Sequence, residues 1–171
     1  MSSNVEDIVA KVVGLVYKET EPVLDIKQLK RGDHIMFHRV VFTHHAIVTD
    51  VDETAEKFEV IEFGEGIGNS FKAEIKRERY KMEEYKDPVP IIYRFTYENG
   101  KRNSPNETVA IAEECLENTA LIKYDLLFNN CEHMAYYCAT GEHKSPQAEN
   151  FLKAVDIALS ALQKLKTKLT K

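Results

Sequence analysis

Cysteine is scarce in this chain: three residues in 171. So few, and an odd number, cannot form the disulfide framework of a small secreted scaffold; reduced thiols in a cytosolic compartment fit better. Basic residues are in the minority as well. Lysine and arginine number 23 against 28 aspartates and glutamates, a net charge of −5, which excludes a generally basic nucleic-acid binder. No apolar run approaches the roughly 18–20 residues that a membrane-spanning helix needs. Low-complexity runs, internal repeats and domain linkers are missing. The opening Met-Ser-Ser-Asn-Val-Glu-Asp has no basic region ahead of an apolar stretch, so no secretory signal is expected, and the Asn106-Glu107-Thr108 sequon reads as a chance match. What is present is ordinary. Hydrophobic residues make up 43%, enough for a sizeable core, and the 30% charged residues give no sign of disorder. The expectation is one soluble, cytoplasmic domain over 1–171.

Periodicity divides the chain into helices around a central β region. Val5, Ile8, Val9, Val12, Val13 and Val16 recur at helical spacing and predict a helix over 4–19, ended by Pro22. Gly32-Asp33 marks a turn, and 34–50 reads as two β segments, with Ile35 and Phe37 alternating in the first and Ala46-Ile47-Val48 buried in the second. Lys57 to Phe63 alternates charged with apolar residues, as a half-buried strand does. Further strands are expected within 71–80 and 91–95. Ser104-Pro105 is a helix start with proline at the first helical position. A second helix runs from Cys131 to Ala139, with Gly141 at its C-terminal cap. Phe151, Leu152, Val155, Leu159 and Leu162 give an amphipathic helix over 147–169. The class is α+β: a mostly antiparallel sheet flanked by helices.

Two segments carry chemistry. Asn129-Asn130-Cys131-Glu132-His133 puts a cysteine at a predicted helix start, where unpaired N–H groups and the helix dipole favour a thiolate, and Asn130 can cap that helix. Thr43-His44-His45-Ala46-Ile47-Val48 puts a histidine at the mouth of a buried strand, a rigid place from which to take a thiol proton. Either segment alone is weak. A free cysteine is commonly a small buried hydrophobe, which is the reading for Cys115 and Cys138. Cys131, His133, Cys138 and His143 do not have the spacing of a zinc site, so no metal and no cofactor are expected.

With Leu29-Lys30-Arg31-Gly32-Asp33-His34-Ile35 added upstream, the three segments together resemble the lecithin:retinol acyltransferase-like family, which includes the H-RAS-like suppressor phospholipase/acyltransferases. The resemblance covers 26–141 and leaves the helices 4–19 and 147–169 as additions. It implies a circularly permuted papain-like (NlpC-type) fold with histidine ahead of cysteine. It also implies an acyltransferase or phospholipase A-type hydrolase in which Cys131 is acylated by a lipid ester, His44 is the base, and Glu62 stands at the third polar position, often a second histidine. His45 occupies the place where the family usually has tryptophan, so it is either pocket wall or an alternative base. Strand alternation sends His44 and His45 to opposite faces, so only one of them can meet Cys131.

The partner this implies is a phospholipid or other acyl ester, with no role for nucleic acid. The lysines at 164, 166, 168 and 171 on the last amphipathic helix allow peripheral contact with an anionic membrane, or a solvated C-terminus whose apolar stripe packs on the domain. Two rival functions stay open: a thiol peptidase or amidase, and a non-catalytic interaction or regulatory module of the same fold. Oligomeric state is not read from the sequence.

Overall fold

The computed structural model describes residues 19–38, 43–64, 74–85, 92–98, 100–118 and 131–143. All of them belong to one compact unit, Glu19–Lys144. Of the helices expected over 4–19 and 147–169 only Glu19 is among the described residues, where it is a turn, and Asn130 also lies outside them. Six strands form one sheet: β1 (Thr20–Pro22), β2 (His34–His38), β3 (Thr43–Asp52), β4 (Lys57–Gly64), β5 (Glu74–Lys81) and β6 (Ile92–Phe95), in the order β1-β6-β2-β3-β4-β5. Every pairing is antiparallel. Two helices follow, α1 (Pro105–Glu117) and α2 (Cys131–Thr140). The α+β class and the antiparallel sheet are therefore as the periodicity indicated.

Both faces of the sheet are covered, which is why β3 and β4 are buried almost throughout rather than at every second residue. On one face Ile35, Phe37, Ala46, Val48, Phe58 and Val60 pack against Val23, Ile26 and Leu29 from the segment ahead of β2. On the other, Ile47, Ile61, Phe63 and Ile75 meet Val109, Ala112 and Cys115 of α1 and Met134, Ala135 and Cys138 of α2. The sheet edges are protected in two ways. β5 reads Glu-Ile-Lys-Arg-Glu-Arg-Tyr-Lys, so an approaching strand meets a row of charges, and β1 has only three residues and includes Pro22. The sequence reading missed β1: Pro22 was expected only to end a helix, whereas Thr20, Glu21 and Pro22 itself pair with Phe95, Arg94 and Tyr93 of β6.

Helix boundaries follow the local chemistry. Ser104 caps α1 in a capping box with Glu107, and Pro105 fills the first helical position, where its missing N–H costs nothing. Gly141 ends α2 in the left-handed region at φ +75°, its N–H donating to the Tyr137 carbonyl.

The turn at Lys30–Asp33 sets the position of β2. Asp33 N donates to the Lys30 carbonyl, and positive φ at the third residue alone, Gly32 at +86°, makes it a type II turn. Gly32 N then donates to Val48 O, and Val48 N to Asp33 O, which locks the turn onto β3. A Cβ on Gly32 would lie 2.6 Å from Pro105 Cα, so the start of α1 is packed directly on the turn. Gly32→Ala is expected to cost about 2–5 kcal/mol, the left-handed penalty plus an overpacking term. Gly100→Ala is the control. That glycine has φ +79° but open space around it, so about 1–2 kcal/mol of backbone strain is expected. Urea unfolding of both variants checks the difference, and equal losses would show that contact with Pro105 does not require the glycine.

Candidate active site

Cys131 is the first residue of α2 and is half-buried. A helix start leaves backbone N–H groups without intrahelical acceptors, so the thiol sits where negative charge is favoured. His44 is the second residue of β3, opposite Phe37 of β2, with their rings 5.9 Å apart. Glu62 of β4 is opposite Ala46, and the period of two along β3 puts Ala46 on the face of His44. His44 Nε2 and Glu62 Oε2 are 2.9 Å apart, with only 3% of the histidine and 2% of the glutamate exposed. The Cys131 side chain acts on the same histidine and favours its charged form. With Nε2 engaged by the carboxylate, Nδ1 is the ring nitrogen left for the thiol. His44 is thus the bridge between a cysteine at a helix start and a buried carboxylate, which are the three residues the sequence singled out.

Burial alone would pull His44 below its ordinary value. The hydrogen bonds to Cys131 and Glu62, together with their charges, overcome it and raise His44 to about 9. Burial likewise pushes the Glu62 carboxyl up, but the His44 hydrogen bond and charge, the Tyr80 hydroxyl and Lys76 outweigh it, and the group is held below the usual glutamate value. At neutral pH the pair is an imidazolium on a carboxylate.

His45 goes to the opposite face, as alternation requires. It is fully buried, and its Nδ1 is 2.9 Å from Nε2 of His34. His34 Nδ1 is in turn 2.6 Å from the Tyr97 hydroxyl, and the ring stacks on Phe95 at 4.2 Å. Burial first, then the neighbouring His45 and Arg102, hold His34 well below the ordinary histidine value. Neutral imidazoles each carry one donor and one acceptor, so this chain is satisfied without any charge. Cys115 and Cys138 are buried together between α1 and α2 with a thiol hydrogen bond; that contact and burial push the Cys138 thiol far up, as for an inert core pair. Among the described residues no group of three or more His, Cys, Asp or Glu side chains could hold a metal ion.

Sequence reasoning missed Tyr80, Lys76, His34 and Tyr97. For the first two a signal existed: on β5 they alternate on one face, and Lys76 is directly opposite Glu62. It becomes readable only once the register of β4 against β5 is known.

The two neighbouring histidine sites give opposite pH dependences. His44 is raised from 6.5 to about 9 on folding, so its contribution is complete below pH 6.5 and is lost as the pH rises through 9. His34 is lowered from 6.5, so its contribution is complete above pH 6.5 and is lost as the pH falls below that value. Thermal unfolding across the pH range is expected to show greatest stability near pH 6.5, the unperturbed value of both groups. Glu62→Gln should flatten the alkaline side and His34→Gln the acid side; a profile unchanged by either variant would contradict the assignment.

A family model described as lecithin retinol acyltransferase matches residues 27–144. The mouse (Mus musculus) lecithin retinol acyltransferase is 44% identical over 59 residues, 34% of this chain and 25% of the relative. The bovine (Bos taurus) protein is 44% identical over 54 residues, 32% and 23% of the two chains. The human (Homo sapiens) protein is 43% identical over 54 residues, again 32% and 23%. The matched segment thus spans about a quarter of the length of these curated relatives. No solved structure matches. With more than half of its residues inside the matching model, the chain belongs to the lecithin retinol acyltransferase family.

Proposed function

We propose that the protein is a thiol-dependent acyltransferase that takes an acyl group from a lipid ester onto Cys131 and passes it to an acceptor. The observation that carries this is buried His44 bonded to Glu62 at 2.9 Å, with the Cys131 side chain acting on the same imidazole. A nucleophile, a base and a group that orients the base make up the constellation that covalent acyl transfer needs. Membership of the family supports the acyl chemistry, and the name of its curated relatives joins a lecithin to a retinol. Lecithin is an acyl ester, and that is the donor class proposed here; the acceptor is left open.

The chemistry follows from the arrangement. His44 and Cys131 react as an imidazolium–thiolate pair, with the imidazolium held by Glu62. The sulfur attacks the ester carbonyl, and the oxyanion that forms is stabilised by N–H groups at the start of α2. Collapse breaks the ester C–O bond, His44 gives its proton to the departing alcohol, and an acyl thioester remains on Cys131. An acceptor hydroxyl or amine then attacks, losing its proton to His44, and the C–S bond breaks to release the Cys131 thiolate and restore the starting pair. Water as acceptor gives phospholipase A-type hydrolysis. Part of the same proposal is a reducing, cytoplasmic setting with peripheral access to membrane lipid, consistent with three free cysteines.

Intact-protein mass after incubation with a short-chain phosphatidylcholine tests the reading. An added acyl mass is expected on the wild type and none on Cys131→Ala. Glu62→Gln is expected to slow adduct formation by about 10²–10⁴-fold, because a neutral amide neither holds the imidazolium nor enforces its orientation. If the wild type shows neither adduct nor released fatty acid, and iodoacetamide labels Cys131 no faster than a free thiol, the protein is a non-catalytic module of this fold. Cleavage of peptides in place of esters would move it to the amidases.

A further inference from the structure

Glu62 has more partners than His44. Its Oε2 accepts from both His44 Nε2 and the Tyr80 hydroxyl, each at 2.9 Å, and its Oε1 is 3.4 Å from Lys76 Nζ. Both extra partners come from β5. Lys76 is directly opposite Glu62 in the register, and Tyr80 lies four residues along on the same face, opposite Phe58. Each is held in place by its surroundings. The Tyr80 ring packs at 5.2 Å from Phe37 and 5.8 Å from Phe58, and Phe37 packs on His44. The Lys76 stem lies across Gly64, where a Cβ would come within 2.6 Å of Lys76 Cε, so a glycine there leaves the lysine its path to Glu62. Glu78 holds the ammonium from the other side at 3.0 Å.

We propose that Tyr80 and Lys76 are positioning residues of the site: they clamp Glu62 as an oriented carboxylate against His44 Nε2 and thereby set the acid limit of acyl transfer. The proposal rests on the Cys131–His44–Glu62 reading above. The physical need is plain. A carboxylate with 2% exposure takes up a proton unless donors surround it, and a protonated Glu62 cannot hold an imidazolium. One histidine N–H satisfies one lone pair and leaves the group free to rotate about its last torsion. The Tyr80 hydroxyl takes the second lone pair of the same oxygen, and the ammonium draws the other oxygen towards β5. The titratable groups facing Glu62 are His44 of β3, with Cys131 of α2 beyond it, and Lys76, Glu78 and Tyr80 of β5. All but Glu78 and the thiol favour the ionised carboxylate.

The direction of the pH effect follows. Removing the hydroxyl destabilises the ionised form of Glu62 and not the protonated form, so protonation happens at higher pH and activity is lost earlier on acidification. The experiment measures the pH dependence of acyl-Cys131 formation in wild type, Tyr80→Phe and Lys76→Met, together with unfolding temperatures and the downfield imidazole N–H resonance of His44. Tyr80→Phe is expected to lower kcat about 10–100-fold with KM little changed, the scale of one hydrogen bond to a charged group. Its acid limb should move to higher pH, and the His44 resonance should disappear at a higher pH than in the wild type. Lys76→Met should move the limb in the same direction by less, and the difference should vanish in about 1 M salt, since its ammonium is half-exposed and screened. A folded Tyr80→Phe with an unmoved limb and resonance overturns the clamp. So does a parallel fall of kcat and unfolding temperature without a pH shift, which is what a merely structural tyrosine gives. Lys76→Met, at an exposed position, decides the matter if Tyr80→Phe fails to fold: an unmoved limb there overturns the clamp. Absence of any acyl adduct on the wild type would instead remove the catalytic reading itself, a separable result.

Discussion

Glu62 is a carboxylate on a strand that is buried almost throughout, and the rest of the site is arranged around that fact. Taking a charge out of water costs several kcal/mol unless oppositely charged and hydrogen-bonding groups surround it. The partners of Glu62 come from strands on either side of it: His44 on β3, and Lys76 and Tyr80 on β5. None of the three is close to it in sequence. Strands β3, β4 and β5 must therefore be in register before the carboxylate is satisfied, and a slip by one residue would turn Glu62 to the other face of the sheet, away from His44. The polar cluster thus specifies the pairing of β3, β4 and β5 as much as it uses it. On the opposite face, Glu59 of β4 plays a milder version of the same part, joined to Arg77 and Arg79 of β5 near the surface, where solvent makes each pair worth little.

Adjacent histidines with opposite electrostatics show how far environment outweighs residue type. His44 and His45 are neighbours in the chain, and the alternation of β3 puts one on each face. His44 faces a carboxylate and a thiol and is raised to about 9. His45 meets another imidazole, His34, which is itself held neutral by burial and by nearby positive charge. Exchanging their surroundings would exchange their behaviour. The strand period distributes a proton-carrying role and a neutral core role between two identical side chains at the cost of no extra residue.

Much of the fold could be read in advance because its signals are local. The alternation of Lys57 to Phe63, the capping box at Ser104 and the glycine after α2 each state their structure within a few residues. The site was legible in part for a different reason: Cys131, His44 and Glu62 carry unusual chemistry at element starts or within apolar runs, and a family resemblance aligned them. Tyr80 and Lys76 were not legible. In the sequence they belong to a charged run that reads as a solvated edge strand, and five of the eight β5 side chains behave as one. Lys76 is itself one of the five, and only the cross-strand register sets it and Tyr80 against Glu62. The same limit hid β1, whose three residues have no pattern of their own and exist as a strand because β6 offers them an edge.

The Arg31-Gly32-Asp33 turn connects these observations. It begins β2, and by bonding to both the N–H and the carbonyl of Val48 it fixes where β3 runs beside β2. His44 lies four residues before Val48 on the same strand, so the register that the turn imposes decides whether His44 is opposite Phe37, where it is found, or one residue away and on the wrong face. The first residue of α1 packs on Gly32 from outside, and α1 in turn packs with α2, which begins at Cys131. His44 and Cys131 are therefore positioned from a common reference: one through β3, the other through two helices, both starting from a glycine that only a left-handed backbone and the absence of a side chain allow. A substitution there would be felt at the thiol–imidazole contact before it was felt at Glu62, since β4 and β5 take their register from β3 and not from the turn.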